Sequence, residues 1–195
     1  MPANLPSTAL PELQPLVPPD LRADFPTEDD TPVDNVYSEK QQRLLTEPLY
    51  SSWSGPDGRG KFVAMANVGL FYSDTKPAIV PDGLLSVGVE APDDMWPREH
   101  RSYFIRKYGK SPEVVIEVVS KGSRREDRGS KPLAYAEAGI PHFWRVETPE
   151  SGALTLAIHA FALDVGRYVQ VGEHVGRFRA ARPFPVELVL ERLAE

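Results

Sequence analysis

The chain has 195 residues, a formal net charge of -6 and 41% hydrophobic residues, enough apolar material for one domain and a tail. It contains no Cys, which excludes a disulfide framework, a Cys-based zinc site and an iron–sulfur cluster. No apolar run is long enough for a membrane span, no basic-then-apolar leader opens the chain, and the acidic balance argues against a general nucleic-acid coat. A cytoplasmic protein without membrane contact is expected.

Residues 1–33 interleave Pro2, Pro6, Pro11, Pro15, Pro18, Pro19, Pro26 and Pro32 with Glu28, Asp29 and Asp30. Prolines remove donors and cut the apolar islands apart, so this segment is predicted to be an extended or disordered arm ahead of a domain over 34–195. Val36, Leu44, Leu45, Leu49 and Trp53 fall near helical spacing and predict a helix over 35–53, with Pro48 as a kink or break. Gly55, Pro56, Asp57, Gly58 and Gly60 form a turn cluster. Strands are predicted over 61–68, 69–73 and 78–87, the last bent at Pro81, then a loop over 91–100 and a short strand at 103–105.

Residues 113–120 (EVVIEVVS) carry the strongest strand signal. A helix is predicted within 123–138, with Ser123 and Glu126 at capping-box spacing and Gly139 and Pro141 as its stop. Pro132 disfavours helical backbone at Lys131 and removes a donor, so the helix is weakest there. Strands follow over 143–147, 153–163 and 168–171, and the segment 186–193 reads as a short helix. The order predicts an α/β fold in the broad sense, an α+β mixed sheet flanked by helices. From Arg98 to Lys131 ten Lys/Arg stand against five Asp/Glu, a basic stretch in an acidic chain or simply a solvated face.

Glu117 is the anomaly. On a strand it shares a face with Val115 and Val119, while Val114, Ile116 and Val118 line the other, so both faces read as buried. An ionised carboxylate there costs several kcal/mol unless it is paired with an arginine (Arg124, Arg125 or Arg128) or bound to a cation. Asp82 follows the apolar run of AIVPDG; Pro-Asp-Gly is also ordinary turn chemistry. Two convergent carboxylates would make a hard-oxygen site for Mg²⁺ or Mn²⁺, with a nearby lysine to assist a water. Asp127, four residues before Lys131, is spaced to pair with it on a helix. The four histidines show no zinc-hydrolase spacing, and there is no nucleophile elbow.

The segments IVPDGLLSV, SPEVVIEVVS, REDRGSKPLAYAEAGIP and HFWRVE resemble the Uma-two family, grouped with restriction endonucleases in the PD-(D/E)XK nuclease superfamily. The resemblance spans about 34–190, its specific block running from Ser111 to Glu147. It implies a restriction-endonuclease-like core with Asp82 and Glu117 as metal carboxylates and Lys131 as the motif lysine, migrated to the following helix because Val119 stands at its usual place. Lys121 is the alternative lysine. Pro32-Val33-Asp34 resembles a segment ahead of the family's first helix, so Asp34 or Glu39 is a further candidate carboxylate.

The expected function is therefore Mg²⁺- or Mn²⁺-dependent hydrolysis of phosphodiesters in DNA, an endonuclease chemistry. The alternative is a nuclease-fold module without turnover that serves binding or assembly, and a homodimer joined through a sheet edge is a third option.

Overall fold

The computed structural model describes residues 36–56, 58–119, 123–147, 156–180 and 186–190. The predicted arm over 1–33, together with Asp34 and Lys121, lies outside the described residues.

Helix α1 (Val36–Ser52) is the first described element and continues through Pro48 instead of breaking there. The missing Pro48 donor is tolerated because the helix end is fastened elsewhere. The Tyr50 hydroxyl donates to the Ala64 carbonyl (2.8 Å) and accepts from the Ala64 N–H (2.9 Å), and Trp53 packs on Phe62. The strands β1 (Phe62–Met65), β2 (Leu70–Phe71) and β3 (Gly83–Val87) follow. Then come β4 (Tyr103–Phe104), a short α2 (Ile105–Tyr108) that the sequence reading missed, and β5 (Val114–Val118).

The single helix expected within 123–138 is two: α3 (Arg124–Arg128) and α4 (Ser130–Glu137), broken at Gly129. Ser123 provides no side-chain cap, so the capping-box expectation fails; its backbone already has helical angles and its carbonyl closes the first turn instead. The predicted stop holds, with Gly139 at φ 68. Strands β6 (His142–Glu147), β7 (Ala157–Asp164), β8 (Arg167–Val175), β9 (Arg177–Ala180) and β10 (Val186–Val189) follow among the described residues. The last corrects the helix expected over 186–193. β10 pairs antiparallel with β9, its β-branched ends suiting the pleated geometry.

One mixed six-stranded sheet, in the order β1-β3-β5-β6-β7-β8, organises the molecule. Within this sheet, among the described residues, only β5 and β6 run parallel, joined by the crossover that carries α3 and α4. The other neighbours are antiparallel, and β7 and β8 shift register across a bulge between Ala160 and Phe161. The alternation of β5 divides the core. Val114, Ile116 and Val118 join Trp144, Ile158 and Leu45 of α1 on one face. Val115 joins Phe143, Ile140 and Tyr135 of α4 on the other. Glu117 falls on that second face, under α4.

Pro81-Asp82-Gly83 is not a reversing turn. It is the entry to β3, and Gly83 leaves room for α1: a Cβ there would meet Leu45 Cδ1 at 3.2 Å. Among the described residues no helix is long and apolar enough to cross a membrane.

Candidate metal centre

The antiparallel register of β3 and β5 sets Gly83 opposite Ile116, which brings Asp82 beside Glu117. The Asp82 carboxylate accepts the Val118 N–H through Oδ2 at 2.7 Å, so the main chain of β5 fixes its orientation. Glu117 is wholly buried. Its Oε2 accepts from the Lys131 ammonium at 3.0 Å, and its Oε1 accepts from the Tyr135 hydroxyl, itself fully buried. Neither donor is one of the arginines considered from sequence; Arg128 goes instead to Glu147.

Lys131 reaches this place because of the break at Gly129. Ser130 starts a fresh helix, so Pro132 stands in its first turn, where N–H groups have no helical acceptor. The proline that looked unfavourable for a helical lysine is therefore tolerated. Asp127, Lys131 and Tyr135 recur at four-residue intervals and present one face to β5 despite the break. Asp127 is buried, and its Oδ1 lies 3.0 Å from the Lys131 ammonium. That contact is an ion pair rather than a well-aligned hydrogen bond, and among the described residues no donor is placed to hydrogen-bond either Asp127 oxygen.

Three carboxylates and one ammonium thus meet in a mostly dry place. Burial raises the Glu117 pKa to about 8, and the charges of Asp82 and Asp127 push in the same direction against Lys131. Asp82 is raised as well, by burial first, opposed by the Val118 N–H and by Lys131. Burial disfavours the Lys131 ammonium, but Glu117 and Asp127 outweigh it and hold its pKa up at about 12. Burial and Glu117 keep the Tyr135 hydroxyl protonated and a donor.

Divalent cations suit this donor set. Mg²⁺ is commonly held by one or two carboxylates, the other positions going to water or phosphate oxygens. Among the described residues no group of three or more Asp, Glu or His side chains is placed to hold a metal. The side of Glu117 toward Asp127 is taken by the ammonium.

A second charged group adjoins the first. Across the sheet the register aligns Glu117, Arg145, His159 and Glu173 in one row. Glu147, at the end of β6, gathers Arg128 (Nε 3.0 Å), Arg145 (Nε 3.2 Å) and His159 (Nε2 3.1 Å). Burial alone would raise the Glu147 pKa, but these partners lower it. Two guanidiniums anchored on Glu147 therefore stand beside the carboxylates.

Of the expected residues, the structure brings Asp82, Glu117, Asp127 and Lys131 together. Glu39 does not join them: it is an exposed residue of α1 paired with Arg43. Tyr135 and the Glu147 group were not anticipated. The spacing of Tyr135, four residues after Lys131, was the available signal.

A family model named Uma2, described as "Putative restriction endonuclease", matches residues 27–191. The chain belongs to this family. Among solved structures, that of "a putative nuclease belonging to DUF820" from Anabaena variabilis ATCC 29413 superposes with a TM-score of 0.51. The two are 12% identical, and the match covers 84% of this chain and 83% of that one. At that identity the likeness bears on the fold, and it agrees with a mixed sheet flanked by few helices. No curated protein matches this Uma2-family chain.

Proposed function

We propose that the chain is a Mg²⁺- or Mn²⁺-dependent endonuclease of the PD-(D/E)XK type that hydrolyses phosphodiesters in DNA. The observation that carries this reading is the junction of Asp82, Glu117 and Lys131 on the α4 face of the sheet: a fully buried Glu117 beside a half-buried Asp82, with a charged lysine at hydrogen-bond distance from Glu117. Asp82 and Glu117 would hold the metal, which when bound supplies Lewis-acid stabilisation of charge on a phosphate oxygen. Lys131 acts as an ammonium that orients a water and a phosphate oxygen, since its neighbours favour the charged form. Arg145 and Arg128, fixed by Glu147, favour an approaching polyanion.

The test is cleavage of supercoiled plasmid by the purified protein with Mg²⁺, Mn²⁺ or chelator. Metal-dependent nicking should appear and fall at least about a hundredfold in Asp82→Asn, Glu117→Gln and Lys131→Met, each of which removes a group acting on the reacting phosphate. Cleavage that survives in Glu117→Gln would overturn the assignment. DNA binding without cleavage in any metal would favour the alternative of a binding module.

A further inference from the structure

We infer that Asp127 is a positioning residue: it is the second anchor of Lys131, holding the ammonium when Glu117 turns to a metal ion. This rests on the metal-site reading above and goes beyond it. The Lys131 ammonium stands 3.0 Å from Glu117 Oε2 and 3.0 Å from Asp127 Oδ1. It is shared between two buried carboxylates, one on the sheet and one on α3. A divalent cation entering beside Asp82 competes with the ammonium for Glu117, because one carboxylate cannot serve both fully. A lysine with no other partner would then be a largely buried, unpaired charge, and metal entry would bear part of that cost.

Asp127 supplies the missing partner. It is wholly buried, and among the described residues the Lys131 ammonium is the one cation ion-paired with it, so its two oxygens retain acceptor capacity for that ammonium as it leaves Glu117. Tyr135 complements it on the other side, holding Glu117 Oε1 so that the carboxylate keeps its orientation as Lys131 withdraws. Neither side chain needs to touch the metal, in keeping with the absence, among the described residues, of a three-ligand cluster.

A double-mutant cycle on Asp127 and Lys131 tests this, read as Mn²⁺ affinity by calorimetry on the full chain without DNA. Asp127→Asn in the wild-type background should weaken Mn²⁺ binding about tenfold or more, as loss of a residue supporting metal ligands commonly does. In the Lys131→Met background the same substitution should change affinity less than about threefold, because no ammonium is left to anchor. Equal weakening in both backgrounds would show that Asp127 acts on the metal directly and would overturn the inference alone. No Mn²⁺ binding by the wild type would overturn the metal site and this inference together. If Asp127→Asn does not fold, folding of the double variant would show that Asp127 answers to Lys131, and failure of both would make Asp127 an independent structural residue and end the proposal.

Discussion

Burial makes the ionised form of Glu117 costly in the metal-free fold, and this gives it a signature in solution. Its pKa rises from 4.5 to about 8 on folding, mainly through burial. Between those values the folded state binds a proton that the unfolded chain has lost. The metal-free protein should therefore lose stability as pH rises from about 5 to 8, with a slope of at most ~1.4 kcal/mol per pH unit from this one group. Glu117→Gln cannot ionise, so its melting temperature should be flatter over that window and higher at its alkaline end. About 10 mM Mg²⁺, chosen to saturate a weak site, should stabilise the wild type increasingly toward pH 8 and leave the variant unmoved. Parallel pH profiles for the two proteins would mean that Glu117 stays an ion pair throughout. The buried acid was legible as an anomaly because a charge interrupts VVIEVV. Of what satisfies it, Lys131 was expected at the site only through the family resemblance, and Tyr135 was not expected, since both arrive from a helix whose docking angle no local pattern encodes.

At the scale of elements, the break between α3 and α4 matters most. Gly129 sits where an added Cβ would lie 2.7 Å from the Arg125 carbonyl oxygen, so the chain must shift to accept any side chain. Gly129→Ala should cost about 1–3 kcal/mol, a usual range for forcing extra volume into a fixed backbone. It should also weaken Mn²⁺ binding, because α4 carries Lys131 and Tyr135. A stable variant with unchanged metal affinity would show that the break is incidental. Sequence reading found the helical region and its end at Gly139, both written in local chemistry. It could not see the break, since a lone glycine in a helical pattern is tolerated as often as it interrupts. Nor could it choose correctly for Val186–Val189, where a short apolar run suits a helix or a strand and pairing with Arg177–Ala180 decides.

The whole molecule is a sheet with two different faces. A mainly apolar cluster lies under α1, and α4 covers a face that mixes aromatics with the charged row. That division was half legible: the alternation of β5 gave the faces, while the row from Glu117 to Glu173 depends on long-range register. The same register leaves β8 at the end of the sheet, nine residues long and largely exposed, with Val169, Val171 and Val175 in contact with water. A flat strand of this kind would be a template for fibre growth. The bulge opposite Ala160 and Phe161 gives β8 one residue more than its partner needs, and it twists that edge out of line. Deleting Val171 should restore a regular ladder and straighten the edge. The shortened protein should keep its fold but lose colloidal stability, measured as faster thioflavin-positive assembly on gentle agitation at equal concentration. Equal lag times for the two proteins would show that something other than the bulge guards the edge. One surplus valine would then account for the chain's shelf life, a property that no contact around Glu117 controls.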